Sequence, residues 1–424
     1  MFRHDAVKKV ACLVLVGLLT GAASQAGVIH VKDPGEGNDI GPNLEAAWDR
    51  ASEGDTILLP AGKFRIDGTI KLSPSARPNI HLKGAGAGRD GTKLHRNHKA
   101  PQNMIQFFSN GPGVQVSSIC FQGFEQSNRL EGKGIMFMNT DFYLHDCMFS
   151  GFARAAVTVS NNTKGMGLIS SNVFVDNHYA VIVNGFKDSW PPISPGTSDF
   201  LFIEDNYFTR SHHAVAGGEG ALYVFRRNLL KESGGSWAVD MHGGRPDWLG
   251  SYTYSTRLAE VYWNTIYGGQ KTEPWEITCR GGEALIWGNR LKGDVSIQLK
   301  PDGTWHGSNY WTKAPAEWKM PPYPAPYQIG WESGKKYGED HTGTDPETTG
   351  AGDVFVWDNE FETGSIDVLS PYNVRGKEYD YIQKDRDYHF VKRPGYEPYT
   401  YPHPRRGISA AESGPPGTRR RTGR

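Results

Sequence analysis

Three basic side chains recur at one position of successive repeats: His242, Arg280 and Lys300, with Asp240 two residues before the first. They close the tetrads Val239-Asp240-Met241-His242, Ile277-Thr278-Cys279-Arg280 and Ile297-Gln298-Leu299-Lys300. In a strand, first and third members share one face and second and fourth the other. Aligned with residues 157–160, 181–184 and 215–218, these strands present two outward columns. One reads Thr158, Ile182, Ala216, Asp240, Thr278, Gln298; the other reads Ser160, Asn184, Gly218, His242, Arg280, Lys300. Like charges on neighbouring strands repel, so a ladder of three cations calls for an anion lying across it.

A uronic-acid polymer is the natural anion for such a face. Its β-elimination needs a cation to neutralise the carboxylate, which acidifies the C5 proton, and a base to remove that proton. Arg280 and Lys300 are candidate clamps, arginine through its bidentate fork. His242 is the candidate base, oriented by Asp240 or a backbone group. Asn184 and Gln298 extend the face for substrate contact.

Other chemistries stay open. A glycoside hydrolase of the polygalacturonase kind needs clustered carboxylates; the face offers Asp240, with Glu276 and Asp367 near enough to join it. A non-catalytic adhesin or exopolysaccharide-assembly protein needs the groove but not the His–Arg pair. A C5-epimerase shares the proton abstraction. His212-His213, with Glu219 nearby, makes a poor metal site, because adjacent strand residues point to opposite faces.

The positioning elements are repeats. The sequence returns to a small or polar residue, Asn, any residue and an apolar one, at Asn172, Asn206, Asn228, Asn264, Asn289 and Asn359. The spacing is that of stacked coils, each pairing its backbone with the coils above and below. The Asn is expected to take the left-handed backbone of a tight turn and to hydrogen-bond to the next Asn in the stack. The expected fold is all-β, a right-handed parallel β-helix. Surplus segments 185–198, 244–257 and 301–350 follow outward column residues and would wall a groove. They carry Trp190, Trp248, Tyr252, Trp305 and Trp311, whose rings can stack on sugars.

Residues 1–26 read as a signal peptide: Arg3, Lys8 and Lys9, then an apolar run to Ala23, then Ser24-Gln25-Ala26. A secreted or periplasmic protein is expected. Residues 27–100 form the N-terminal cap and first coils, 101–375 the β-helix, 376–406 an extended segment along its outside, and 407–424 a disordered tail. Pro42 to Trp48 suggests a short capping helix with Asn43 as N-cap. With 46 basic and 46 acidic residues the chain is balanced, which speaks against nucleic-acid binding. No segment after the leader is apolar enough to insert stably in a membrane, and a monomer is expected. Cys120, Cys147 and Cys279 are expected to be buried thiols, although Cys120 and Cys147 are placed where one bridge is possible.

Gly54-Asp55-Thr56-Ile57, Leu59-Pro60-Ala61-Gly62 and Leu82-Lys83-Gly84-Ala85-Gly86, behind the helix, resemble the start of pectin-lyase-like β-helix proteins. With the repeats the resemblance covers residues 27 to about 375 and implies that fold. A second, local resemblance runs through Trp263-Asn264-Thr265-Ile266, Ile277-Thr278-Cys279-Arg280-Gly281-Gly282 and Gly288-Asn289-Arg290. It is to β-helix lyases of the alginate-lyase and chondroitinase-B type, and it implies that Arg280 is the catalytic acid. The family's base is a lysine where this chain has His242. Its calcium-binding glutamates fall where this chain has Gly235 and Trp237, so Ca2+ stays possible only.

Overall fold

The computed structural model describes residues 26–407 except 75–78, 97–102, 109–112, 124–131, 161–166, 186–193, 233–236, 247–251, 269–275, 301–328, 330–352, 369–371, 375–376, 380–381 and positions 244, 254 and 386. Residues 1–25 and 408–424, on which the expected leader and tail fall, and most of the long insertion therefore lie outside the described residues.

The chain winds as a right-handed parallel β-helix with three faces. Sheet A has 12 strands, sheets B and C have 10 each, and neighbours in each sheet belong to successive coils. Every pairing within these three sheets is parallel, as a coil that returns after one full turn requires. Inside, like side chains stack on like: Phe121, Phe149, Phe174 and Phe208 lie 4.9, 5.1 and 4.9 Å apart, centroid to centroid, within 10° of parallel. The helix Gly41–Arg50 closes the first coil, burying Leu44, Ala47 and Trp48, with Trp48 against Phe107. Asn43 is not its cap: the N-cap is Ile40, without a side-chain bond, and Asn43 donates to the Lys32 carbonyl instead.

An asparagine ladder runs through the later coils, from Asn172 to Asn359. The amide of Asn172 donates to Asn206, which donates to Asn228, then Asn264, Asn289 and Asn359, at 2.9–3.1 Å. Each also donates to a backbone carbonyl of the coil before, as Asn206 does to Ile169. The left-handed residue is not the Asn but the one before it: Ser171, Asp205, Arg227, Trp263, Gly288 and Asp358 have φ between 49° and 61°. The turn bends at that residue, leaving the Asn extended with its amide directed along the stack. The three cysteines are free and buried, with Cys147 donating its backbone N–H to Asn172 at the start of the ladder.

Outside, sheet A is covered by the chain's C-terminal segment. Tyr396 packs with Phe202, Val224, Leu285 and Trp357 and donates to buried Glu260 at 2.6 Å. Arg226, fully buried, pairs with Glu204 at 2.7 Å and donates to the carbonyls of Tyr399 and Thr400. Tyr401 bonds to Asp205, and Arg405 to Asp141. Sheet A is thus occupied, and sheet C carries the groove.

Candidate functional site

Sheet C stacks 158, 182, 216, 240, 278 and 298 in register, each directly opposite the next. The second column follows: the N–H of His242 donates to Gly217, that of Arg280 to Met241 and that of Lys300 to Cys279. His242, Arg280 and Lys300 therefore occupy one row on three successive rungs, beside Asp240.

They do not form a solvent-facing cationic ladder. Arg280 is 3% exposed and Asp240 is fully buried. The guanidinium of Arg280 grips Asp240 through two parallel bonds of 2.9 and 2.8 Å and donates to His242 Nδ1 at 2.6 Å. The Nε2 of His242 lies 3.0 Å from the same carboxylate. This geometry assigns the tautomer: Nε2–H donates to Asp240 while Nδ1 accepts from Arg280. The mutual repulsion expected of the cations is thus cancelled from within. Burial pushes the Asp240 carboxyl up, but Arg280 and then His242 outweigh it and hold it well below the usual carboxylate range. Lys300, 8% exposed, donates to Gln298 at 2.8 Å, and Gln298 donates to Glu276 at 2.7 Å. Burial pushes the Glu276 carboxyl up, with Lys300 opposing.

A third outward row adds Tyr179, His213 and Trp237, in register with Glu276. Tyr179 and His213 stack at 4.4 Å, and His213 and Trp237 at 5.5 Å. The stack is capped by cations: Arg154 over Tyr179 at one end, Arg280 and Lys300 over Trp237 at the other. Burial drives the His213 imidazole well below its ordinary pKa, leaving it neutral. The row exists because each of these coils carries one extra residue. Ala180, Ala214 and Ala238 turn inward, fully buried, ahead of Val181, Val215 and Val239. The rung 276–279 lacks that residue, so the register slips between Trp237 and Val239, a bulge that re-aims a side chain. Strict alternation hides this row; the recurring Ala-Val after an aromatic residue is the signal for it.

Beside His242 a groove of about 210 Å3 runs toward the N-terminal rungs. Ala216, Gly217 and Gly218 form its floor, Lys133, Arg154 and Tyr179 one side, and Asn184, Glu219 and His242 also border it. Asn184 therefore borders it as a predicted contact, whereas Gln298 sits on the far side of Asp240.

The insertions divide. Residues 245–246 and 252–253 pair as a small antiparallel ribbon, with Tyr252 opposite Pro246, just beyond His242. Ile329, the one described residue of the long insertion, is buried and bridges to Gly282, two residues past Arg280. The described end of the first insertion does not wall the groove: Gly196 donates to Glu260, on sheet A. Trp190, Trp248, Trp305 and Trp311 lie outside the described residues. His212 stacks on His178 at 4.8 Å and meets His213 edge-on at 4.4 Å, so the two histidines touch rather than diverge. Among the described residues no group of three or more His, Cys, Asp or Glu is arranged to hold a metal ion. At the calcium positions of the lyase resemblance, Gly235 lies outside the described residues and Trp237 is an apolar ring. Asp367 faces Gln298 across the next rung and accepts from Ser365.

Three parallel faces, an Asn ladder and a capping helix define a pectin-lyase-like right-handed parallel β-helix protein. No protein-family model matches the chain. Among curated proteins it is similar to a probable rhamnogalacturonase A of Aspergillus oryzae, 23% identical over 304 residues that make up 68% of this chain and 60% of the relative. It is also similar to rhamnogalacturonase A of Emericella nidulans, 30% identical over 269 residues, 53% of this chain and 51% of the relative. The chain thus spans between half and three fifths of these relatives' length. Among solved structures it is similar to an alginate lyase from Paenibacillus sp. FPU-7, with a TM-score of 0.42 and 14% identity over 65% of this chain and 99% of the other.

Proposed function

We propose that the protein is a secreted enzyme that hydrolyses a pectin-type, uronate-containing polysaccharide lying across sheet C. The observation that carries this reading is a divided pair of carboxylates on adjacent rungs. Asp240 is held ionised by Arg280 and His242, while burial pushes Glu276 toward its protonated form. Environments that drive two carboxyl groups apart in this way set one up as base and the other as acid. Glu276 stands in register with Trp237, one strand over and two residues along the face from the partner of Asp240. Strand separation and rise put their Cα atoms roughly 8 Å apart, a backbone spacing compatible with the carboxyl separation of about 6.5–9.5 Å that leaves room for a water. Glu276 gives its proton to the glycosidic oxygen as the C1–O bond breaks. The water attacks C1 from the opposite face and passes its proton to Asp240 once a substrate carboxylate draws Arg280 away and opens that buried carboxylate to the groove. The similarity to rhamnogalacturonases favours the same reaction class and a pectin-type substrate.

β-Elimination is the second reading, and one observation bears on it. The His242 lone pair is taken up by Arg280 at 2.6 Å, so His242 becomes a base only when a substrate carboxylate draws Arg280 away. The products separate the two. Incubation with rhamnogalacturonan and with polygalacturonate is expected to release new reducing ends without the absorbance of an unsaturated uronate. Growth of that absorbance in step with the reducing ends would establish elimination instead. Retained binding without new ends would leave a non-catalytic binder.

A further inference from the structure

The groove does not stop at His242. Its far end is lined by Lys133 and Arg154, from the strands Lys133–Met138 and the turn before Ala155–Ser160. Lys133 pairs with Ala155, so the two cations stand on neighbouring rungs. Both are partly buried, and no carboxylate among the described residues forms an ion pair with either. The ammonium of Lys133 is disfavoured, first by burial and then by Arg154 beside it. Two desolvated cations side by side cost free energy that a bound anion would return. Arg154 is already fixed, its guanidinium lying 5.5 Å over the Tyr179 ring, so little entropy is lost when it binds. His213 takes the other face of Tyr179, which leaves the ring edge to the groove. Glu219 and Asn184 border the groove nearer His242 and set the limit of the cationic stretch.

We propose that Lys133 and Arg154 form a distal subsite that holds the carboxylate of one uronate unit of a bound chain. Ala155 is three rungs from Asp240 and Lys133 four, about 14 and 19 Å along the coil. The subsite is therefore reached only by a polymer extending several units past the reacting bond. This rests on sheet C being the polysaccharide face but does not depend on what reaction occurs there.

Affinity electrophoresis of the full chain through polygalacturonate tests it without cleavage as a readout. Wild type is expected to be retarded by polygalacturonate and much less by the fully methyl-esterified polymer, whose carboxylates are masked. Lys133→Gln/Arg154→Gln is expected to weaken binding to polygalacturonate at least about tenfold, and Arg154→Lys to keep most of it. Thermal unfolding shows whether the double variant is folded; if it is not, Lys133→Gln alone is read, with a smaller loss. Unchanged retardation of a folded variant, or equal retardation by the esterified polymer, would overturn the subsite. So would dextran sulfate binding with the same dependence on both residues, since that marks an unselective anion patch. Loss of hydrolysis on every polymer with this retardation intact would sink the proposed reaction and leave the subsite standing.

Discussion

At the scale of single residues, the site is governed by where protons sit. Glu276→Gln removes the proposed proton donor while keeping its shape and its bond to Gln298. Steady-state kinetics on the polymer are expected to show kcat lowered at least about 100-fold, with the circular dichroism spectrum unchanged. Asp240→Asn is different in kind. It leaves Arg280 buried against a neutral amide, and removing one partner of a buried pair costs about 3–5 kcal/mol, which urea unfolding will read as a lowered midpoint. The sign of the pH effect follows from the direction of the shift. Asp240 is held below its unfolded value, so its contribution is complete above the ordinary carboxylate range, near pH 4, and is lost as pH falls through the depressed value. His213, also held low, adds destabilisation below its ordinary range near pH 6.5, because only the unfolded state gains its proton there. Stability should therefore fall on the acid side, and Asp240→Asn should flatten the steepest part of that fall. The sequence alone brought His242, Arg280 and Asp240 to one place and offered Asp240 as a partner for His242, but not the grip of Arg280 on both. Alternation fixes a face, whereas which partner a guanidinium chooses depends on burial that a sequence does not display.

At the scale of the strand and turn, much of the fold was legible because the repeat is physical. An Asn returning at the same place of each repeat, whatever the insertion between, means a ladder, and the ladder is there from Asn172 to Asn359. What could not be read was the conformation of the residue before it, since Ser, Asp, Arg and Trp share no side-chain feature that announces a left-handed backbone. The bulged row was missed for a related reason: a period of two has no place for Ala180, Ala214 and Ala238, although their recurrence was visible. The ladder is testable at its centre. Asn228→Ala deletes the bonds to Asn264 and Ile203 and leaves the Asn206 amide short of an acceptor. A loss of about 1–3 kcal/mol is expected, measured as a shift in the thermal midpoint, with the sheet signature in circular dichroism retained.

At the scale of the whole molecule, the two long sides of the solenoid have different fates. Sheet A would expose Phe202, Val224, Leu285 and Trp357 were it not for the C-terminal segment laid across it, which also donates the His403 N–H to Glu204 and accepts from Arg226 at the Tyr399 carbonyl. Truncation after residue 386 is expected to give a chain that binds hydrophobic dyes and aggregates at low temperature, because a contiguous apolar patch and a buried ion pair are both uncovered. Sheet C is left to the groove, with the paired residues 245–246 and 252–253 just beyond His242 and Ile329 bridged to Gly282. Proton NMR of the first product, read before the anomers equilibrate, bears most directly on the pair of carboxylates proposed to act there. Cleavage of rhamnogalacturonan with inverted configuration at the new reducing end is the expected result. Retained configuration, or an unsaturated ring at the new non-reducing end, would contradict it.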